Sequence, residues 1–252
     1  MPRILITGCS SGFGQAIAAR FLDEGWEVVA TMRTPAAEGL PISERLRILP
    51  FDVTQPLSIE AALAEAGPLD ALVNNAGVGM LNVLEGAAID KARELFEINV
   101  LGTMAMTQAV MPAMRQRRAG VIVNISSSVT LRPLPALSIY SASKAAVNAF
   151  TESFALEAAE FGVRARLVLP GSAPETSFGK NAVARMGMEI PDAYGPFVQA
   201  YVQSRRNATE KTSALDVANA VWRAVTDVDA AMLLPAGADA EALFRTEDRF
   251  AA

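Results

Sequence analysis

The chain has 252 residues, of which 51% are hydrophobic and 19% are charged, and its formal net charge is −5 at pH 7. A chain of this length can form one large α/β domain. The acidic balance, without a marked cluster of Lys and Arg, gives no reason to expect a nucleic acid or an anionic membrane as a partner. No apolar stretch approaches the roughly 18 residues of a membrane-spanning helix, and the start of the chain lacks a signal-peptide pattern, so we expect a cytoplasmic protein.

The scarcity of His and Cys restricts the catalytic mechanisms and metal sites that this chain can form. The sequence has no His and a single Cys, Cys9. These counts exclude an internal disulfide, a multi-cysteine metal site, His-ligated metals and imidazole acid/base catalysis, Ser-His-Asp hydrolysis included. The remaining candidate catalysts are Tyr, Lys, Ser and the carboxylates, and we expect no metal site.

Short apolar runs alternate with helical patterns along the chain. The apolar runs predict strands over residues 3–7, 27–31, 46–50, 70–74, 120–125, 164–169 and 231–234. The patterns between them predict helices over residues 14–24, 56–66, 90–97, 100–117, 138–161 and 213–227. This alternation, with right-handed crossovers, predicts a doubly wound α/β fold in which about seven parallel strands carry helices on both faces.

No repeat or long linker divides the chain, so we expect a single domain over residues 1–252. The stretch 171–210 is irregular and carries large apolar side chains among glycines and prolines: Phe178, Met186, Met188, Tyr194, Phe197 and Tyr201. Such a stretch suits a mobile lid over a substrate pocket. An ordinary connection that buries its large side chains beneath itself is the alternative.

A glycine-rich turn follows the first predicted strand and opens the first predicted helix. Its residues after Thr7 are Gly8, Cys9, Ser10, Ser11, Gly12, Phe13 and Gly14. Glycines let the backbone approach a pyrophosphate closely, and the free amides at a helix start favour an anion. The GxxxGxG spacing departs from the GxGxxG fingerprint of the larger dinucleotide-binding folds, so a simple turn is an equal alternative for this segment taken alone.

Further motifs follow in a fixed order along almost the whole chain. They are Asn74-Asn75-Ala76-Gly77 after the fourth strand, the serines at 126–128 after the fifth, Tyr140 with Lys144, and Pro170-Gly171 after the sixth. Together with the glycine turn, this order resembles the short-chain dehydrogenase/reductase family. The resemblance implies a Rossmann fold and the transfer of a hydride between a nicotinamide cofactor and a carbonyl or alcohol.

The resemblance also implies a set of cofactor-binding residues: Gly8, Ser10, Ser11, Gly12, Phe13, Gly14, Arg33, Asp52, Val53, Asn75, Ala76, Gly77, Tyr140, Lys144, Pro170, Gly171 and Thr176. Within it, Asp52 and Val53 match the adenine contact, although an Asp there also suits a turn cap. Pro170, Gly171 and Thr176 match the segment that holds the nicotinamide carboxamide. Four residues separate Gly171 from Thr176, where the family more often has three.

The end of the second strand, Thr31-Met32-Arg33, bears on the choice of cofactor. An acidic side chain there would bond the ribose 2'-hydroxyl and repel a 2'-phosphate. By resemblance, Met32 occupies the place of that acid in NAD-dependent members. Arg33 offers a planar fork of donors that suits a phosphate, so we expect NADP(H). A solvated Arg33 in a loop is the alternative.

Tyr140 and Lys144 lie one turn apart on one face of a predicted helix. An ammonium about 4 Å from the phenol is worth about 4 kcal/mol at an effective dielectric of about 20, which would lower the pKa of Tyr140 toward 7. By resemblance, Ser127 is the catalytic serine that holds the substrate oxygen, uncertain by one residue within the serine cluster. Asn99 likewise matches the asparagine that bends a helix and holds a water of the proton relay. Both types are otherwise common at turns and helix boundaries.

The expected function is therefore that of an NADP-dependent oxidoreductase acting on a carbonyl or alcohol. The alternatives are a non-catalytic NADP-binding sensor or scaffold and an NAD-dependent alcohol dehydrogenase. Leu134, Met186, Met188 and Phe197 favour an apolar substrate. Small residues on helices 100–117 and 138–161 favour a homodimer or homotetramer, with internal packing of the same alanines as the alternative.

Overall fold

Seven parallel strands form one sheet in the computed structural model, which describes residues 1–187, 189–207 and 209–246. The strands are β1 (Arg3–Thr7), β2 (Glu27–Met32), β3 (Leu46–Pro50), β4 (Ala71–Asn74), β5 (Gly120–Ile125), β6 (Val163–Pro170) and β7 (Leu233–Ala236). Their order across the sheet is β3-β2-β1-β4-β5-β6-β7, and every neighbouring pair is parallel. The predicted doubly wound Rossmann fold is confirmed.

Helices cover both faces of this sheet. They are α1 (Gly12–Asp23), α2 (Pro56–Ala66), α3 (Ile89–Phe96), α4 (Gly102–Arg117), α5 (Ser138–Ala159), α6 (Phe178–Met186), α7 (Gly195–Arg206), α8 (Ala214–Thr226) and α9 (Ala238–Arg245). Ile4 and Ile6 pack with α1 and α8 on one face, whereas Leu5 between them packs with α2 and α4 on the other. Successive strand side chains point to opposite faces, so a continuous apolar run supplies two cores.

The chain reverses its direction of travel across the sheet between β3 and β4. It moves outward from β1 through β2 to β3, then returns to the other side of β1 and continues from β4 to β7. The loops that leave β1 and β4 therefore diverge. A crevice opens at this point outside the carboxyl ends of the strands, which is where open α/β sheets bind ligands.

Three parts of the chain differ from the sequence-based expectation. Strand β7 begins at Leu233 instead of 231, because a turn through Asp227 and Ala230 precedes it, and it extends to Ala236 beside Pro170. The stretch 171–210, expected to be irregular, contains α6 and α7, and α9 was not expected at all. In the described part of the chain, no helix combines the length and the apolar character that a bilayer span requires.

Candidate active site

A cleft of about 1160 Å³ runs along the carboxyl ends of the strands. Predicted residues that line it are Gly8, Ser10, Ser11, Gly12, Phe13, Arg33, Asp52, Val53, Asn75, Ala76, Gly77, Ser127, Tyr140, Lys144, Pro170, Gly171 and Thr176. Of the predicted site residues, all of which the structure describes, Gly14 and Asn99 alone are not among the lining residues. The structure therefore brings the motifs of distant sequence segments to one place.

The glycine turn closes against β2 and opens toward the cleft. The amides of Gly8 and Cys9 both donate to the Thr31 carbonyl at 3.0 Å. A Cβ on Gly8 would lie 2.9 Å from the Ala76 Cα, and one on Gly14 would overlap the Gly8 carbonyl oxygen, so backbone atoms occupy the space that side chains would need. Ser11, which precedes α1, makes no side-chain cap, so the first amides of α1 keep the capacity to bind an anion.

Hydrogen bonds tie the glycine turn to the loop after β4. The Thr7 hydroxyl accepts from the Asn75 and Ala76 amides at 3.0 and 2.9 Å. In return, Asn75 Nδ2 donates to the carbonyls of Thr7 and Gly8 at 2.9 and 3.0 Å. Thr7 was not singled out from the sequence, although a hydroxyl at the end of an otherwise apolar strand is a signal that could have found it.

Arg33 and Asp52 lie at the end of the cleft beside β2 and β3. Asp52 Oδ1 accepts from the Thr54 amide at 2.9 Å and from its hydroxyl at 2.7 Å. Burial works against ionisation, but these hydrogen bonds and the charges of Arg33 and Arg185 hold the pKa of Asp52 below its usual value. Asp52 thus caps a turn and also lines the cleft, and its contact with adenine stays a prediction.

Ser127 and Tyr140 meet at the other end of the cleft. Tyr140, on the first turn of α5, is 7% exposed, and the Ser127 side chain is near enough to its phenol to favour the phenolate. The neighbouring Ser126 faces elsewhere, because its hydroxyl lies 2.5 Å from Asn148 Oδ1. Ser127 is therefore the serine of the cluster that acts on the Tyr140 phenol.

Burial dominates the ionisation of Tyr140 and Lys144. Lys144 Nζ donates to the Ile125 carbonyl at 2.9 Å and lies 6.0 Å from the centroid of the Tyr140 ring. Burial raises the pKa of Tyr140 to about 12, although the Ser127 hydrogen bond opposes it, and burial lowers the pKa of Lys144 to about 8. The expectation of a Tyr140 pKa near 7 is wrong for the protein alone, because helical spacing fixes neither the distance between the charged atoms nor their loss of water.

Asn99 lies in a π-helical turn, Glu97–Leu101, between α3 and α4. Such turns are frequent at functional sites. Its side chain accepts from the Val78 amide at 2.8 Å and donates to the Val78 carbonyl at 2.9 Å. A Cβ on the adjacent Gly77 would lie 3.2 Å from Asn99 Oδ1 and 3.6 Å from Lys144 Nζ. Asn99 thus holds the loop after β4 in place beside Lys144. Its part in a proton relay stays a prediction.

The segment after β6 reaches across the cleft to the glycine turn. A Cβ on Gly12 would lie 3.5 Å from the Thr176 Cβ, and the Thr176 hydroxyl donates to the Ala173 carbonyl at 2.8 Å. The Thr176 amide also donates to the Ala173 carbonyl, which closes a turn between these two residues. Thr176 therefore lies opposite the candidate phosphate site in spite of its unusual spacing from Gly171.

Apolar side chains surround the cleft near Tyr140. Val129, Leu137 and Phe178 line the cleft and pack near Tyr140, and Leu134 and Leu243 also line the cleft. The other residues that favoured an apolar substrate lie differently: Met186 is buried against Tyr140 behind the cleft wall, and Phe197 is 55% exposed. Met188 is outside the described residues. Of the three predicted residues that the structure describes, Leu134 alone lines the cleft.

Residues 2–186 match the family model described as short chain dehydrogenase. A 3-ketodihydrosphingosine reductase of Bacteroides thetaiotaomicron is 39% identical over 67% of this chain and 62% of its own length. The crystal structure of a short-chain dehydrogenase from Streptomyces avermitilis matches with a TM-score of 0.82 and 31% identity, covering 97% of this chain and 90% of that one. The closed form of serine dehydrogenase complexed with NADP+ matches at a TM-score of 0.80 and 28% identity, covering 93% and 94%. The chain belongs to the short-chain dehydrogenase family of nicotinamide-dependent oxidoreductases.

Proposed function

We propose that the protein transfers a hydride between NADP(H) and the carbonyl or alcohol group of a small, largely apolar substrate. The observation that carries this proposal is that Ser127, Tyr140 and Lys144 line the same cleft as the glycine turn. A nicotinamide cofactor supplies or accepts the hydride when it is bound. A binding protein without catalysis would have no need of Ser127 and Tyr140 beside Lys144.

The residues of the cleft fit a nicotinamide dinucleotide. The glycine turn leaves room for a pyrophosphate next to the uncapped start of α1. Arg33, Asp52 and Val53 would hold the adenosine half, because they line the cleft on the β2 and β3 side. Tyr140, Lys144 and the segment after β6 lie on the opposite side and would hold the nicotinamide half.

In the reductive direction, Tyr140 acts as the general acid. Its pKa of about 12 means that the buried phenol carries its proton at neutral pH and is able to donate it to a substrate oxygen. The Ser127 hydroxyl lies against the phenol and would donate a second hydrogen bond to the same oxygen. Lys144, which is charged below its pKa of about 8, stabilises the phenolate that remains.

Three observations support NADP(H) as the cofactor. Met32 and Arg33 both line the cleft, but Met32 is apolar and buried, so Arg33 is the side chain of the two that can donate hydrogen bonds to a group at the 2' position. Asp52, the carboxylate nearby, already accepts two hydrogen bonds from Thr54. The serine dehydrogenase of similar structure is complexed with NADP+.

The segment 171–210 serves as a lid over the substrate. The Phe178 ring on α6 lies 5.9 Å from the Tyr140 ring, and a Cβ on Gly79 would lie 2.7 Å from Phe178 Cε1. At the far end of α6, Arg185 Nε lies 2.5 Å from Glu94 Oε1 on α3. These contacts support a lid that closes on the cleft and excludes water from Tyr140.

The chain acts as one domain over residues 1–252 and assembles into a homodimer or homotetramer. One continuous sheet supports the single domain. Leu101 before α4 and Leu156 on α5 are 49% and 76% exposed, which supports pairing through these helices.

Substitution of Tyr140 by Phe tests the assignment of the acid. The variant removes one hydroxyl and keeps the ring, so we expect turnover to fall by at least about 100-fold while NADPH binds as in the wild type. The measurement is NADPH oxidation with a panel of carbonyl compounds, with titration of NADPH fluorescence. Tyr194→Phe, outside the residues that line the cleft, is the matched control. Near-normal turnover of the Tyr140→Phe enzyme would refute the assignment.

Substitution of Arg33 by Gln tests the choice of cofactor. Loss of charge-assisted hydrogen bonds to a 2'-phosphate should raise the KM for NADPH by about tenfold to 100-fold and leave the KM for NADH nearly unchanged. Arg132→Gln, at an exposed arginine on the substrate side of the cleft, is the control. An equal change in the KM for both cofactors, or no change in either, would show that Arg33 does not bind the 2'-phosphate and would favour an NAD-dependent enzyme.

The stability of the cofactor-free protein should report the burial of Lys144. The native pKa of about 8 lies below the ordinary value of 10.5, so the unfolded chain binds more protons between these values. The wild-type free energy of unfolding should therefore rise relative to that of Lys144→Met, by about 2 kcal/mol from about pH 7.5 to about pH 9.5. Urea unfolding at both pH values measures it, with exposed Lys211→Met as the control. A difference in the free energy of unfolding between the wild type and Lys144→Met that does not change with pH would contradict the burial of the Lys144 ammonium.

A further inference from the structure

A cluster of hydrogen bonds lies behind the segment that follows β6. The Gly171 amide donates to Thr212 Oγ1 at 3.0 Å, and the Ser172 amide donates to Asp239 Oδ2 at 2.7 Å. Thr212 Oγ1 also lies 2.7 Å from Asp239 Oδ1, which joins the two side chains. Two consecutive amides are thus held by side chains that are 41 and 67 residues away along the chain.

The cluster packs directly against the backbone of two glycines, Gly171 and Gly237. A Cβ on Gly171 would overlap the Asp239 carboxylate, and a Cβ on Gly237 would overlap the Thr212 hydroxyl. Gly237 also has a φ of +95°, which L side chains rarely adopt. The Thr212 amide in turn donates to the Ser172 carbonyl at 2.9 Å, and Thr212 is 2% exposed. Hydrogen bonds on the side away from the cleft therefore hold the Gly171 amide, the Ser172 amide and the Ser172 carbonyl.

The fixed segment forms part of the cleft wall next to the reacting residues. Pro170, Gly171 and Ser172 line the cleft, and β6 pairs with β5, whose end leads to Ser127. Arg33 and Asp52 lie on the far side of the glycine turn, beyond β1. A dinucleotide whose adenosine half lies at Arg33 therefore extends its other half toward residues 170–172. Neither Thr212 nor Asp239, both of which the structure describes, is among the residues that line the cleft.

We propose that Thr212 and Asp239 are positioning residues that hold the Gly171–Ser172 backbone as the surface on which the nicotinamide half of the cofactor rests. This inference depends on the proposed function. Because Gly171 has no side chain, its backbone can contact the cofactor directly. That backbone keeps its position only if other residues, here Thr212 and Asp239, hold it from the side away from the cleft. A shift of about 1 Å in a reacting group costs up to about 100-fold in rate, so such a clamp has a direct effect on catalysis.

A purely structural role makes a different prediction. Asp239 lies in the first turn of α9, where a carboxylate stabilises the helix whatever its other contacts. Glu241 shares that first turn and is exposed. Glu241→Gln thus removes the same charge from the same helix start but leaves the hydrogen bonds of Asp239 in place, so it serves as the matched control for Asp239→Asn.

The test compares binding of NADPH with binding of 2'-phospho-ADP-ribose, which lacks the nicotinamide, by calorimetry on the full chain. In Asp239→Asn and Thr212→Val, we expect the affinity for NADPH to fall by about tenfold to 100-fold and the affinity for the fragment to stay unchanged. Thr212→Ser, which keeps the hydroxyl, should restore wild-type NADPH binding. Glu241→Gln should bind both ligands as the wild type does.

Three outcomes would overturn the clamp: equal losses for NADPH and the fragment, wild-type NADPH affinity in folded Asp239→Asn and Thr212→Val, or the same selective loss in Glu241→Gln. Circular dichroism confirms that each variant is folded. If the wild type binds neither NADPH nor NADH, the proposed function falls and the clamp falls with it. If it prefers NADH, the same comparison with NADH and ADP-ribose replaces the first, so the choice of cofactor is tested apart from the clamp.

Discussion

The hydrogen bonds among Thr7, Gly8 and Asn75 set the geometry on which the rest of the site depends. They join the ends of β1 and β4 at the point where the loops of the sheet diverge. The loop after β4 then continues to Val78, which Asn99 holds, and Asn99 also donates to Ser143 on α5 at 3.3 Å. A path of hydrogen bonds thus connects the glycine turn with the helix that carries Tyr140 and Lys144.

Loss of water is the second constraint on this site. Tyr140 and Lys144 are both buried, and burial favours the neutral form of each side chain. The pKa of Tyr140 is therefore raised and the pKa of Lys144 is lowered. In the proposed mechanism this is useful, because a phenol that keeps its proton serves as an acid and a lysine with a pKa of about 8 responds to small changes in nearby charge. The apolar residues of α6 that cover Tyr140 help to keep water away from both groups.

Much of the fold followed from local patterns, and the exceptions have physical causes. Strands such as Gly120–Ile125 are buried on both faces and therefore appear as continuous apolar runs. Helices α6 and α7 were missed because Gly179, Gly195 and Pro196, which lie in their first turns, are typical of loops, and the patterns that follow are weakly apolar. The glycine turn and the spacing of Tyr140 and Lys144 could be read locally, since a turn and a helix determine them. The pKa values could not, because the groups that bury these side chains come from distant parts of the chain. The Thr212 and Asp239 cluster has no sequence pattern for the same reason.

The central claim is that one dinucleotide spans the cleft from Arg33 to Tyr140, with its pyrophosphate at the glycine turn. A crystal structure of the complex with NADP+ tests it most directly. We expect phosphate oxygens within hydrogen-bond distance of the first amides of α1 and the nicotinamide ring between Tyr140 and Gly171. A pyrophosphate bound away from the glycine turn, or a ring directed away from Tyr140, would contradict the account.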